Sequence, residues 1–240
     1  MSVYDPRTSI YQMHPLDNVI WNALTTREAH FALGSNGARK FIPEVSPLAA
    51  FEHEGPQGYA ALASLLGKGS TVGIFIDQAY DAQPDWSFVA GAPLLQMVCE
   101  QDNGMGSTSA IEAEIVELGT ADSPEMLELT ALTKPGPFGT RTHEFGNYYG
   151  IRVGGKLAAM AGERLKVPGY TEVSAVCTHP DHAGKGYAAA LMKKVMRGIR
   201  ERGEIPFLHV RGDNARAIAI YHRLGFEDRV LRHFAVLRKE

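Results

Sequence analysis

Apolar positions in the second half of the chain repeat in some segments with the two-residue period of strands and in others with the 3.6-residue period of helices. The pattern predicts strands at 111–118, 148–153, 156–164, 171–178, 205–210 and 230–237. It predicts helices at 123–132, 186–202 and 214–224. The resulting order, β-α-β-β-β-α-β-α-β, predicts a mixed α/β layer fold.

The first half has a weaker pattern, which proline and glycine interrupt repeatedly. It predicts a helix at 16–33, a short helix at 60–66, and strands at 71–76 and 88–99, the second of which Gly91 and Pro93 interrupt. The polar segment 101–109 has the composition of a linker. We therefore predict an N-terminal α/β region, residues 1–106, and a second domain, residues 107–240.

The composition is that of an ordinary water-soluble protein, with 45% hydrophobic and 21% charged residues among 240. Apolar runs stop far short of the ~20 residues that a bilayer span needs, and no secretory signal is visible at the N-terminus. Cys99 and Cys177 lie in apolar, strand-like segments, which favours buried thiols in a reducing cytoplasm over a disulfide. We therefore expect a cytoplasmic protein without a membrane partner.

Charge is unevenly distributed along the chain, whose net charge of −3 argues against a general nucleic-acid binder. Residues 1–110 hold 5 basic and 11 acidic side chains, a balance of −6, whereas residues 111–240 hold 19 and 16, a balance of +3. The acidic part would attract a cationic amine over a long range, or is simply a solvated acidic surface. The basic residues between 185 and 202 form either a solvated helix face or a positive field for a small polyanion.

A glycine-rich loop enters the predicted basic helix soon after the strand at 171–178. Unpaired backbone N–H groups and the helix dipole make such a helix start favourable for phosphate. Gly184 and Gly186 would let a pyrophosphate approach the main chain and would permit positive φ. The alternative is a tight strand-to-helix turn without a ligand, and the spacing is not that of a Walker loop.

A second motif follows in the segment 211–226, where Asn214 begins a predicted helix and Tyr221 lies two turns later. The hexapeptide 183–188 and this N-x-x-A-x-x-x-Y-x-x-x-G-F pattern together resemble the GNAT superfamily of acyl-CoA N-acyltransferases. The resemblance covers residues 111–240. Within the superfamily, the chain looks most like bacterial proteins related to glycine N-acyltransferase.

The resemblance implies acetyl-CoA as the co-substrate and no metal. It implies that the backbone of Val176, Cys177 and Thr178 holds the acetyl group and the pantetheine, with the Val176 N–H as the oxyanion donor. The residues that it assigns to the pyrophosphate are Ala183, Gly184, Lys185, Gly186, Tyr187 and Ala188. Ala183 departs from the usual Gln or Arg, but it retains the backbone N–H that makes the implied contact. Asn214 would hydrogen-bond the pantetheine, cap its helix, or do both.

The resemblance also implies two groups for proton transfer. Tyr221 would protonate the leaving thiolate, and the alternative is an aromatic ring that only packs in the core. Glu172 lies eleven positions before Ala183, the spacing of the catalytic glutamate in the histone acetyltransferase branch, and strand alternation places it on the face of Val176. It is the candidate general base, unless it is an ordinary strand glutamate and water or His209 takes that role.

We expect an N-acetyltransferase that moves the acetyl group to a primary amine by direct attack in a ternary complex, because no activated nucleophile is evident. A small molecule or an amino acid is preferred over a protein as acceptor, and the alternative function is a non-catalytic acyl-CoA-binding regulatory module. A homodimer is an open alternative, and no nucleic-acid partner is expected.

The N-terminal region, which loosely resembles a degenerate GNAT-like unit, is expected to complete the acceptor site. His179, Asp181 and His182 are too crowded in one turn to converge on a metal ion.

Overall fold

The computed structural model describes residues 14–35, 37–101 and 115–240. Its strands are β1 (Ala32–Leu33), β2 (Ala38–Phe41), β3 (Ala49–Phe51), β4 (Thr71–Ile76), β5 (Trp86–Val98), β6 (Ile115–Leu118), β7 (Tyr148–Val153), β8 (Lys156–Val167), β9 (Tyr170–Thr178), β10 (Ile205–Arg211) and β11 (Glu227–Lys239). Its α-helices are α1 (Val19–Thr25), α2 (Pro56–Ser64), α3 (Ser123–Thr133), α4 (Tyr187–Glu201) and α5 (Ala215–Arg223).

Eight of the strands form one mixed sheet in the order β4-β11-β5-β10-β9-β8-β7-β6. The strands β1, β2 and β3 form a separate small antiparallel sheet. Within the large sheet β9 and β10 run parallel, while the other neighbouring pairs run antiparallel. A mixed sheet with packed helices confirms the predicted α/β class.

The elements predicted in the second half are present, with their ends shifted by a few residues. Helix α4 shows why the pattern was informative: Leu191, Val195 and Ile199 recur at helical spacing and are fully buried. The hairpin of β7 and β8 turns at Gly154 and Gly155, which both have positive φ. The predicted linker beyond Gln101 and residues 111–114 of the first predicted strand lie outside the described residues.

The N-terminal region departs from its predicted elements. Helix α1 covers only Val19–Thr25, and a 3₁₀ turn and β1 replace the rest of the helix predicted at 16–33. The Thr25 hydroxyl donates to the Trp21 carbonyl at 2.8 Å, and such side-chain bonds compete with the helical backbone. Helix α2 begins at Pro56, earlier than predicted, because proline suits the first turn of a helix.

Strand β5 belongs to the predicted N-terminal region, residues 1–106, but pairs with strands of the predicted second domain, residues 107–240. It pairs with β11 along its whole length and with β10 from Leu94 to Val98. Pro93, predicted to interrupt the strand, lies just outside the stretch paired with β10, where a missing N–H is tolerated. The division at residue 106 stays a prediction, and strands from both sides of it share one sheet.

An opening lies in the middle of the large sheet. The parallel strands β9 and β10 pair only over 170–172 and 205–207. Beyond that point β10 continues alongside β5 as far as Arg211, which leads it away from β9. The two neighbouring strands therefore separate toward their carboxyl ends, just before helices α4 and α5 begin.

Apolar cores cover both faces of the large sheet. One core packs α4 against strand residues such as Val173 and Leu208. The other packs α1 and the segment after it against Leu165 and Phe207. Each large apolar side chain buried in this way contributes about 1.5–3 kcal/mol. The N-terminal region is thus joined to the rest of the chain through an apolar core as well as through the sheet.

Glu28 is a carboxylic acid buried next to α1 and is 2% exposed. Burial raises its pKa to about 7, and the nearby Lys166 and Arg27 offset only part of that rise. Because the folded-state pKa lies above the unfolded value of 4.5, the stabilisation is complete below pH 4.5 and is lost as the pH rises through about 7. We expect Glu28→Gln to raise the free energy of unfolding by about 1–3 kcal/mol at pH 8 and to change it little at pH 5.

Urea unfolding of both proteins at pH 5 and pH 8 measures this difference. The control is Glu117→Gln, at an exposed position of β6, which is expected to leave the pH dependence of the parent unchanged. A Glu28→Gln protein with the parent's stability at both pH values would contradict the cost assigned to the ionised Glu28 carboxylate.

Candidate active site

The opening between β9 and β10 forms a cleft of about 760 Å³. Strand β9 lines it with Val176, Cys177 and Thr178, and α5 lines it with Tyr221. Asn214, directly before α5, lies on the same wall. The cleft therefore brings together the residues that the sequence assigned to the acetyl group, the pantetheine and the leaving thiolate.

A second cavity of about 400 Å³ adjoins the cleft. Its walls are the loop and helix start at 182–189 and the face of α5 around Ile220. All six residues of the predicted phosphate hexapeptide, 183–188, lie in this wall. Thr178 and Arg216 line both cavities, so the two are neighbours on the surface.

The loop before α4 has the conformation that glycine permits. Gly184 has a φ of 80°, and Gly186, the N-cap of α4, has a φ of 83°. Open space surrounds the position that a Cβ would take at Gly184. The first N–H groups of this 15-residue helix have no intrahelical acceptors, and its first turn carries no acidic side chain. The second cavity thus offers N–H donors and the positive end of a helix dipole to an anion.

Asn214 caps helix α5. Its Oδ1 accepts a hydrogen bond from the Ala217 N–H at 3.2 Å, which satisfies one of the free donors at the helix start. The same side chain lines the cleft. The capping role is therefore observed, and a contact of Asn214 with pantetheine stays a prediction.

Tyr221 combines ring packing with access to the cleft. Its ring lies edge-on to that of Phe226, with 6.2 Å between centroids, and its side chain lines the cleft. Burial raises the pKa of its hydroxyl above the usual value of 10. Within the described part of the chain the hydroxyl has no hydrogen-bond partner, so it is available to a ligand in the cleft.

Glu172 on β9 is fully buried between two partners. Arg164 on β8 donates from Nε at 2.8 Å and from Nη2 at 2.7 Å to its two carboxylate oxygens, and His209 Nδ1 lies 2.7 Å from Oε1. Burial alone would raise the pKa of Glu172, but Arg164 and His209 outweigh burial and hold it at about 2. An ionised carboxylate with both oxygens occupied is a poor proton acceptor. This geometry departs from the general-base role that the sequence predicted for Glu172.

A β-bulge changes which side chains of β9 share a face. Between Ser174 and Cys177 the strand advances three residues while β8 advances two, and Ala175 has a φ of 52°. The extra residue reverses the alternation, so Glu172 shares a face with Cys177 and Val176 packs toward α4. The shared face predicted for Glu172 and Val176 is therefore wrong.

His209 is engaged at both ring nitrogens. Its Nδ1 faces Glu172, and its Nε2 lies 3.0 Å from Gln96 Nε2. The amide of Gln96 is oriented by Arg229, which donates to its Oε1 at 2.7 Å, so the amide nitrogen donates to the ring. With the Gln96 amide nitrogen as donor, His209 Nε2 accepts and His209 Nδ1 donates to Glu172. The ring has no free lone pair to accept the proton of an amine.

Three residues of this network, Arg164, Gln96 and Arg229, were not predicted from the sequence. Gln96 interrupts the apolar run at 94–99, and that interruption was a usable signal. Arg164 lies in the mainly charged segment 163–166, where no local pattern marks it as buried.

Cys177 lines the cleft but is poorly suited to covalent catalysis. It is 7% exposed, and burial raises the pKa of its thiol to about 11. The thiolate is the nucleophilic form, so a thiol that stays protonated at neutral pH is nearly inert.

Comparison with known proteins agrees with this geometry. The FR47-like protein family matches residues 148–235. A solved structure of a GNAT-family protein from Novosphingobium aromaticivorans is 39% identical, with a TM-score of 0.87 over 95% of this chain and 100% of that chain. The chain belongs to the GNAT family of acetyltransferases.

Two curated relatives of this GNAT protein match shorter segments. The mycothiol acetyltransferase of Saccharomonospora viridis is 49% identical over 57 residues, which is 23% of this chain and 19% of its own length. The N-alpha-acetyltransferase RimI of Mycobacterium tuberculosis is 35% identical over 84 residues, which is 34% of this chain and 52% of its own length. The matches thus span about half or less of either relative.

The cleft of this GNAT protein is lined by basic side chains. Lys134, Arg164, Arg211 and Arg216 line it, and none of the described lining residues is Asp or Glu. The N-terminal region contributes apolar groups to the wall, including the Phe75 ring.

Acidic side chains of the N-terminal region lie around a different cavity. Asp17, Glu52, Glu54 and Asp77 line a space of about 290 Å³ beside α1, where Arg232 forms ion pairs with Asp77 and Asp17. One of the two interpretations of the acidic balance was that it attracts a cationic amine. The described residues of the cleft wall include no carboxylate that would provide this attraction.

No helix within 14–35, 37–101 and 115–240 is long and apolar enough to cross a bilayer. In those same ranges, no three His, Cys, Asp or Glu side chains are grouped so that they could hold a metal ion. The turn residues make local contacts: His179 Nδ1 lies 3.7 Å from Asp181 Oδ2, and His182 Nδ1 lies 3.1 Å from Lys185 Nζ.

Proposed function

We propose that this GNAT protein transfers the acetyl group of acetyl-CoA to a primary amine by direct attack in a ternary complex. The observation that carries the proposal is the adjacency of the two cavities, which share Thr178 and Arg216 in their walls. One end is a helix start suited to phosphate, and the other end holds the Tyr221 phenol. A coenzyme with a pyrophosphate at one end and a thioester at the other matches this pair of neighbouring cavities. The acceptor is a small molecule or an amino acid in preference to a protein.

The coenzyme is held mainly through the backbone. Its pyrophosphate binds the N–H groups at 184–188, with positive charge from Lys185 and Arg216. Asn214 and the backbone of 176–178 hold the pantetheine, and the Val176 N–H donates to the thioester oxygen as the carbonyl becomes tetrahedral. The bulge beside Val176 supports this assignment, because a bulge re-aims the groups of its strand.

Tyr221 gives its proton to the departing thiolate. Burial raises the pKa of the phenol, so the group is protonated at neutral pH. A thiol has a pKa of about 8.5, so the thiolate is already a fair leaving group and the phenol assists it to a modest degree.

Water in the open cleft takes the proton of the attacking amine. Glu172 is a positioning residue in this proposal, because both of its oxygens are occupied by Arg164 and His209. Positive charge from Lys134 and Arg216 in the cleft wall lowers the pKa of a bound ammonium group and so increases the fraction of neutral nucleophile.

The N-terminal region completes the acceptor end of the cleft. Leu48, Phe75 and Ala90 lie in its wall, and β5 is a central strand of the sheet. Four points stay predictions: the division into 1–106 and 107–240, a homodimer, a cytoplasmic location, and membership of the branch related to glycine N-acyltransferase.

Replacement of Tyr221 by phenylalanine keeps the ring packing and removes only the hydroxyl. We expect kcat to fall on the order of tenfold or more, with the dissociation constant of acetyl-CoA nearly unchanged. Release of free thiol from acetyl-CoA across a panel of primary amines measures kcat, and calorimetric titration measures binding.

Tyr149→Phe is the matched control, because the Tyr149 ring packs beside α4 and Lys194; its kcat is expected to equal that of the parent. A Tyr221→Phe protein with unchanged kcat and reduced stability would make Tyr221 a core residue. Binding of acetyl-CoA without thiol release for any amine would favour the non-catalytic regulatory module over the enzyme.

A further inference from the structure

We propose that the acceptor amine carries a carboxylate group and that Arg164 binds this carboxylate. The inference rests on the proposed acetyl transfer and names the class of its acceptor: small amino acids and related amino carboxylates.

The position of Arg164 is set by the sheet. It lies on β8, its partner Glu172 lies on the neighbouring β9, and His209 follows on β10. Arg164 is 9% exposed, and it lines the cleft. Because Glu172 is itself held by His209 Nδ1, the guanidinium is fixed by a chain of hydrogen bonds across three strands.

A guanidinium group has two edges that each match a carboxylate. Glu172 occupies the edge formed by Nε and Nη2. Among the described residues Nη1 has no hydrogen-bond partner, so the edge formed by Nη1 and the second N–H of Nη2 is free. A planar, oriented pair of N–H donors in a cleft is suited to bidentate binding of a second carboxylate.

The charges of the wall favour the same ligand. Arg164 and Glu172 neutralise each other, whereas Lys134 adds a positive charge at the cleft wall. None of the described lining residues is acidic, so a second ammonium group on the acceptor would have no counter-ion there. A carboxylate bound to Arg164 is paired, and Lys134 adds positive charge to the same cleft wall. The rings of Phe75 and Phe234, which also line the cleft, can cover an apolar side chain of the acceptor.

The test compares acceptors that differ only in the carboxylate. Single amino acids and their primary amides are offered as matched pairs, for example leucine with leucinamide and phenylalanine with phenylalaninamide, and thiol release from acetyl-CoA is measured. For at least one pair we expect kcat/KM to be on the order of tenfold or more higher for the acid, since charge-assisted bidentate hydrogen bonds are the strong ones. The corresponding acid without an amino group should inhibit competitively against the amine.

Variants locate the preference at Arg164. The double replacement Arg164→Gln with Glu172→Gln removes both buried charges together, and we expect it to abolish the preference for the acid while amides remain substrates. Lys134→Gln, at an exposed site, is expected to reduce the preference a few-fold. Lys156→Gln, at the exposed first residue of β8, is the charge-matched control and should leave the preference unchanged.

The outcomes separate this inference from the proposed function. If acids and amides are used equally, or if amides or polyamines are preferred, acetyl transfer stands and the carboxylate inference is overturned. If no acceptor releases thiol, the proposed function fails and the inference falls with it. If the double variant does not fold, two measurements still test the carboxylate inference. They are the ratio of kcat/KM for acid and amide in the parent and in Lys134→Gln, and competitive inhibition by the acid without an amino group.

Discussion

Replacement of Glu172 by alanine is expected to lower the free energy of unfolding by about 3–5 kcal/mol. The variant leaves Arg164, which is 9% exposed, without the two bonds that it donates to the carboxylate. It also removes the acceptor of the His209 Nδ1–H. A buried cation whose partner has been removed is strongly destabilising, because its desolvation is no longer compensated. Urea unfolding at pH 7 measures the loss.

The control removes both charges at once. Arg164→Met combined with Glu172→Met keeps apolar volume in place of the ion pair, and it is expected to recover most of the stability lost by Glu172→Ala. If Glu172→Ala has the parent's stability but has lost the acidic limb of the kcat/KM profile, the general-base role predicted from the sequence would be the correct one.

The same pair determines part of the response to acid. Since the pKa of Glu172 is held at about 2, below its usual 4.5, the stabilisation is present above pH 4.5 and is lost as the pH falls toward 2. The double methionine variant should therefore lose less stability than the parent between about pH 5 and pH 3.

Replacement of Gly186 by valine is expected to weaken acetyl-CoA binding on the order of 100-fold. Gly186 is the N-cap of α4 with a φ of 83°, a conformation that a β-branched residue rarely adopts. Valine would either strain the loop or move it, and both changes redirect the first N–H groups of the helix. Calorimetric titration of the folded variant with acetyl-CoA measures the dissociation constant.

Gly203→Val provides the matched control at the other end of α4. Gly203 has a φ of 75° and open space around its Cβ position, so valine adds comparable strain there without touching the loop. We expect a similar loss of stability and no change in affinity. An unchanged affinity in Gly186→Val, or an equal loss of affinity in both variants, would contradict the assignment of the phosphate loop.

The sequence by itself determined the elements of the second half and the motifs within them. The buried face of α4 recurs at short spacing in Leu191, Val195 and Ile199, so a local window contains it. The glycines of the loop, Gly184 and Gly186, have the positive φ that was expected of them. A strand, its loop and the next helix are contiguous in the chain, which is why a short motif could identify the family.

Local patterns failed where tertiary contacts outweigh propensity. The periodicity at 16–33 is helical, yet only seven residues form α1, because side-chain bonds at its end and pairing of β1 with β2 compete with the helix. Strand β5 was expected to be interrupted, yet pairing with β10 and β11 on its two sides keeps it continuous.

Only the tertiary structure decided the surroundings of Glu172. Its spacing and strand alternation predicted a base facing the oxyanion site, but the bulge at Ala175 reverses that alternation. Its partners come from neighbouring strands, Arg164 at a separation of 8 residues and His209 at 37, and Gln96 meets His209 across 113 residues. Such contacts depend on strand order and register, which are set by pairing between distant segments and are contained in no local pattern.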